Sequence, residues 1–256
     1  VSSRWAATPT VTATGRPAVM PVSHSVVGND LGATFAPNTK PDGKLSTAQS
    51  LRAGTEAEGY QVLGDGSFDV PLDQGARGWA ECGELDPLGH KLEAGLARHI
   101  AEQIERIANR IIQLLDQGWE TVRVVTDHGW LLVPGGMPKV DLPKHLTESR
   151  WARCAVISGE STPDVDRFSW YWNDGESFAT APGIACFNKS AAYAHGGLSV
   201  QECLTPDITV TRGASVGARA SITSVEWRGM RCLVDAVARG GVVHADLRLK
   251  RASGDS

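Results

Sequence analysis

Hydrophobic positions between residues 92 and 125 form two patterns in succession. Leu92, Leu96, Ile100, Ile104, Ile107, Ile111 and Leu114 step by three or four, one apolar stripe along a long helix that Gly118 stops. Val122–Thr126 follows as a β-branched run, the composition of a strand buried on both faces. A helix feeding a buried strand predicts an α/β fold, a doubly wound sheet with helices on both faces. Asp127, His128 and Gly129 come directly after the run. They sit where a strand ends and the backbone turns, and open α/β sheets bind ligands just beyond that edge.

The remaining pattern is shorter-ranged. Residues 1–22 carry no helix period and contain Pro9, Pro17 and Pro21, which reads as an irregular lead-in. A helix over Thr47–Glu58 is expected, with Ser46 as its cap and Gly59 at its end. Cys154–Ile157 and Phe168–Trp172 read as strands. Ser199 and Glu202 have capping-box spacing, so a helix begins after Gly196 and Gly197 and closes at Pro206; Ile208–Thr211 is then a strand. Beyond Gly213 the texture changes to short strands, 222–227, 232–237 and 242–249, with no helix among them. The expected organisation is one α/β domain over 1–211 and the beginning of a small, truncated C-terminal β domain over 212–256.

Composition narrows the classes. With 256 residues, 41% of them hydrophobic and 21% charged, the chain can bury a substantial core. A net charge of −4 argues against a surface built to capture nucleic acid, though it does not forbid a nucleic-acid substrate. No apolar run is long enough to span a membrane and no secretory pattern opens the chain, so a cytoplasmic protein is expected. Cys82, Cys154, Cys186, Cys203 and Cys232 are odd in number and scattered without C-x-x-C, which predicts buried, reduced thiols rather than a disulfide framework or zinc ribbon.

Candidate chemistry lies in three acidic and histidine clusters: Asp86-x-x-x-His90, Asp127-His128, and His195 before two glycines. If they converge, these side chains can hold two divalent cations, and a pair of ions about 3.5–4 Å apart clamps both oxygens of a phosphoryl displacement. Mixed nitrogen and oxygen ligands suit zinc, with manganese or magnesium also compatible. Thr12, in Pro9-Thr10-Val11-Thr12, is the candidate nucleophile. Each element has a plainer reading. Asp86 before Pro87 can simply cap a helix, His90 can be a surface histidine, His195 a turn residue and Thr12 a strand threonine. Lys139 and Arg153 follow motif segments and can contact phosphate, or can be ordinary solvated charges. Most of the eight tryptophans read as packing residues, and His24, His99, His145 and His244 as structural ones.

The ordered series P-T-x-T, D-x-x-x-H, D-H-G and H-G-G resembles the alkaline phosphatase superfamily. Within it, TVTATGRPAV, TDHGW with PGGMPK, RWARCA and YAHGGLSVQECLTP are similar to the PglZ proteins of BREX phage-resistance systems, most of all the type B form, over about Ala6 to Val210. The resemblance implies that Thr12 is the nucleophile, that Asp86, His90 and His195 form one metal site, and that Asp127 and His128 form a second shared with Thr12. It implies a phosphoester substrate and other BREX proteins as partners. It also implies a further ligand Asp on a strand upstream of the nucleophile; no Asp precedes Thr12 here, so the N-terminal strand is expected to be missing and the second site one ligand short. No C-x-P-x-R motif occurs, which sets the sulfatase branch aside. Two other functions fit the same residues: a metal-binding scaffold of the defence complex without turnover, and a phosphodiesterase or nuclease.

Overall fold

The computed structural model describes residues 1–64, 69–142, 151–157, 166–187, 191–212, 219–229 and 231–239. They belong to two compact units, Val1–Thr211 and Arg212–Ser256. The first is a mixed α/β unit whose described residues form several small sheets and five α-helices, with no closed barrel among the described strands. In the second, Arg219–Arg228 and Arg231–Arg239 form one antiparallel hairpin that contains two of the predicted strands. The third, at 242–249, lies outside the described residues.

Three strands position the site. Ser2–Trp5 pairs antiparallel with Leu204–Thr211, which pairs antiparallel on its other edge with Thr121–Val125. The two outer strands therefore run in the same direction, and both end beside the start of the central one, with Trp5 opposite Leu204 and Val125 opposite Asp207. Pro206 is tolerated inside the central strand because pairing with Thr121–Val125 begins only at Asp207. Parallel pairing of strands is confined, among the described ones, to Tyr60–Leu63 with Arg77–Ala80.

The strand after the long helix is not buried on both faces. Thr121 and Arg123 are exposed while Val122, Val124 and Val125 are half-buried, and Arg123 Nε donates to Asp207 Oδ1 across the sheet at 2.9 Å. That alternation is the mark of a strand covered on one side only. The helix predicted from the apolar stripe is broken: helix Leu85–Leu92 ends at the first residue of the stripe, a 3-10 segment Glu93–Arg98 follows, and helix Ile100–Asp116 carries the rest. Glu93 makes the break with φ +52, and its carboxylate Oε2 accepts the backbone N–H groups of Ala192 and Tyr193 at 2.5 and 2.9 Å. Leu96 and Leu114 are buried as the stripe requires, whereas Ile104 is 57% exposed. Gly118, at φ +111, ends the helix as predicted.

The start of the chain is ordered. After Ser2–Trp5, residues Thr12–Val19 form a helix despite Gly15 and Pro17. Gly15 is needed for close approach: a Cβ there would lie 2.7 Å from the Asp127 carbonyl oxygen. Thr14 fixes this helix to the core, its hydroxyl donating to the Phe35 carbonyl at 2.8 Å and accepting from the Trp170 indole at 3.2 Å. Val11, Leu31, Phe35, Cys154, Trp170 and Phe178 pack there, against the small sheet Cys154–Val156, Asn173–Thr180 and Arg167–Trp170.

Helix Ala48–Ala57 is capped by Thr47, one residue after the predicted Ser46, because Thr47 and Ser50 exchange reciprocal cap hydrogen bonds. Ser199 and Glu202 form the predicted box, but the helix is one turn, Val200–Cys203, and the strand starts at Leu204. None of the five cysteines is in a disulfide; Cys154, Cys186 and Cys203 are buried, but Cys82 and Cys232 are exposed, against the expectation of uniform burial. No helix among the described residues is long and apolar enough to cross a membrane.

Candidate metal centre

Strand direction brings the motif segments to one edge. Thr12 follows the first outer strand, Asp127 and His128 follow the second, and His195 leads through the Ser199 turn into the central one. The fourth segment is the helix Leu85–Leu92, held to the strand Tyr193–Ala194 through Glu93.

Asp86 is not a cap. The helix begins at Leu85 with Glu84 before it, and no side chain caps it. The Asp86 carboxylate instead turns toward histidines: Oδ1 lies 3.2 Å from His195 Nε2 and 3.5 Å from His90 Nε2, one turn along the same helix. The two histidine Nε2 atoms are 3.0 Å apart. Asp86, His90 and His195 offer ligand atoms that all lie within 4.8 Å of one another, so this group can hold a metal ion.

His195 Nδ1–H donates to the Thr10 carbonyl at 2.9 Å, which directs Nε2 at Asp86 and His90. Burial of His195 works against its charged form, but the hydrogen bond and charge of Asp86 override it and raise its pKa above the ordinary value. Burial likewise opposes ionisation of Asp86, yet the hydrogen bond from His195 and its charge hold the carboxyl well below the usual range. His195 Nε2, His90 Nε2 and the Asp86 carboxylate thus face one another, and a divalent cation could take the place between these donors. The carbonyl bond to the far ring nitrogen is the outer support such ligands use.

The second group adjoins the first, since the His128 and His195 rings stack at 4.2 Å between centroids and 18° between planes. His128 Nδ1–H donates to the Gly129 carbonyl at 2.9 Å, leaving Nε2 as an acceptor 3.2 Å from the Thr12 hydroxyl and 3.7 Å from Asp127 Oδ2. Burial pushes the His128 pKa down, against the pull of the Asp127 charge, so the ring is neutral near pH 7 and accepts the Thr12 proton. Gly129 admits no side chain here: its Cβ would lie 2.0 Å from the Gln201 carbonyl oxygen. Thr12, Asp86, His90, Asp127, His128 and His195 are therefore all near one edge, in a set of three and an adjoining set of two plus a hydroxyl.

The other candidates lie elsewhere or have other work. Arg153 is not a phosphate contact but a buried charge paired with Glu202, Nε to Oε1 at 2.8 Å, with both side chains almost wholly inaccessible. Its Nη atoms donate to the Ala185 and Gly183 carbonyls. Lys139 is a half-exposed charge beside Asp141. His24 and His99 pair with Glu58 and Glu102 at the surface; 145 and 244 lie outside the described residues. Tyr193 was overlooked by spacing arguments, and its hydroxyl donates to Asp86 Oδ1 at 2.8 Å. Its position two residues before His195 was the available signal. No family model, curated protein or solved structure matches the chain.

Proposed function

We propose that the chain is a metal-dependent phosphoester hydrolase on an alkaline-phosphatase-like, doubly wound fold, with Thr12 as nucleophile. Two divalent cations are assigned, zinc first and manganese or magnesium as alternatives. Asp86, His90 and His195 would hold one, and Asp127, His128 and Thr12 the other. The observation that carries the reading is the Thr12 hydroxyl 3.2 Å from a neutral His128 Nε2, in a ring stacked on a ligand of the adjoining triad. Residues 116 positions apart meet there in a geometry that neither a turn nor a core contact requires.

Divalent cations in these two sets would supply positive charge to the phosphoryl oxygens and make the Thr12 hydroxyl easier to ionise. Thr12, at the first turn of an eight-residue helix, presents its oxygen with the positive end of the helix dipole behind it. The Thr12 proton leaves to solvent as the Thr12 oxygen attacks phosphorus, since His128 Nε2 would be engaged in holding the cation. The P–O bond to the leaving alcohol breaks and the alcohol departs with a proton, leaving phosphothreonine. Water then attacks the same phosphorus, inorganic phosphate leaves, and Thr12 recovers its hydroxyl hydrogen. A phage-defence setting in the cytoplasm, with other BREX proteins as partners, rests on the motif resemblance alone.

The test is turnover of p-nitrophenyl phosphate and of the bis-ester by the full chain, before and after removal of metal with a chelator. Monoester turnover that chelation stops, that zinc or manganese restores, and that Thr12→Ala abolishes is the expected result. Undiminished turnover in Thr12→Ala would reject the nucleophile.

A further inference from the structure

We infer that Tyr193 is a positioning residue for the candidate metal triad, acting through the Asp86 carboxylate; the inference rests on the metal-site reading above. The phenol O–H donates to the same oxygen, Oδ1, that faces His195 and His90, at 2.8 Å against 3.2 and 3.5 Å. A carboxylate oxygen has two lone pairs, so the phenol occupies one and leaves the other directed at the histidine nitrogens.

The surroundings hold the ring to this task. Gly89, one residue before His90, lies against the ring so closely that a Cβ would be 2.3 Å from it. Glu93 Oε2 takes the Tyr193 backbone N–H, which ties the helix of Asp86 and His90 to the strand of Tyr193. Trp130 packs against the ring at 5.5 Å between centroids, and Tyr193 pairs with Leu132 across a two-stranded ladder. A tyrosine needed for packing alone would not require its only hydroxyl to end on a candidate ligand.

Removing the hydroxyl while keeping the ring should leave the pocket shaped but the carboxylate free to rotate. Tyr193→Phe in the full chain is therefore expected to weaken zinc binding, measured by competition with a chromophoric chelator, by about 10–100-fold, the range found for outer supports of metal ligands. Activity on p-nitrophenyl phosphate lost at limiting zinc should return at excess zinc. The melting temperature of the metal-free protein should stay near that of the wild type. In an Asp86→Ala background the Phe substitution should add nothing, because the group it acts through is gone.

Zinc affinity in Tyr193→Phe equal to wild type would overturn the inference while leaving the metal site standing. An equal fold-loss in both backgrounds would overturn it as well, by assigning the effect to packing. Absence of zinc binding in the wild type would remove the metal-site reading and the inference with it.

Discussion

Two charged centres flank the turn from His195 to Glu202, and they are built on opposite plans. Around Glu202 every valence is used. Its carboxylate takes Arg153 Nε at 2.8 Å, the N–H groups of Gly197 and Ser199 at 2.8 and 3.1 Å, and the Ser199 hydroxyl at 2.7 Å. Each Arg153 Nη also donates to a carbonyl, Nη1 to Ala185 and Nη2 to Gly183. A few residues away, Asp86, His90 and His195 converge on one point with more lone pairs than protons to fill them. A closed centre fixes a fold, because a buried charge is tolerated only when its partners are complete. An open one is poised for something to enter. Burial alone does not separate the two, since His195 is nearly as inaccessible as Arg153. The accounting of donors and acceptors does.

The largest expected effect lies in the closed centre. Glu202→Ala should cost about 3–5 kcal/mol in urea unfolding, because it strands the buried Arg153 charge and removes the carboxylate half of the capping box at the Val200–Cys203 turn. If the comparison is right, that loss appears equally with and without zinc. Stability near that of the wild type would show that Arg153 finds other partners and that the centre is not closed.

The open centre should respond the other way. His90 is half-exposed and contributes little to packing, so His90→Ala should leave metal-free stability within roughly 1 kcal/mol of wild type. The same change should weaken zinc binding roughly 100-fold or more, since each donor carries a share of the binding free energy. Isothermal titration and metal-free melting on one preparation separate these outcomes. A destabilised apo-protein with unchanged zinc affinity would place His90 with the structural residues.

A smaller effect concerns acid. The Asp86 carboxyl is held below its ordinary value of 3.8 in the folded, metal-free protein. The unfolded chain therefore binds more protons in this range, so the contribution is present above the unfolded value and is lost as pH falls through the folded one. Asp86→Asn should flatten the acid limb of the metal-free stability curve below about pH 4 and change its neutral part by less. Parallel acid limbs in the two proteins would mean that Asp86 is not engaged by His195 without metal.

The comparison also explains which parts were legible beforehand. Ser199 and Glu202 announced a capping box because both partners lie three residues apart, and the box is there. The other role of Glu202 was hidden, since Arg153 is 49 positions away and no local pattern encodes the pairing. The Asp127-His128-Gly129 turn was readable from the β-branched run before it, but its half-exposed strand was not, because covering the second face depends on neighbours. Helix Thr12–Val19 was missed because Gly15 and Pro17 oppose helix locally, while contact with the Asp127 backbone demands the glycine. Asp86 before Pro87 looked like a cap; only the fold, by bringing His195 to it, shows its carboxylate engaged elsewhere. The apolar stripe from Leu92 concealed a break at Glu93, whose carboxylate holds the Tyr193 strand.

The central claim is that the open centre binds divalent metal for phosphoester cleavage. Its most direct test is elemental analysis of the full chain after loading with zinc and gel filtration, with p-nitrophenyl phosphate turnover measured on the same fractions. The account predicts two retained equivalents in the wild type, one fewer in His195→Ala, and turnover that tracks the metal. Zinc lost on the column from wild type, or retained unchanged in His195→Ala with Asp86→Ala, would contradict it.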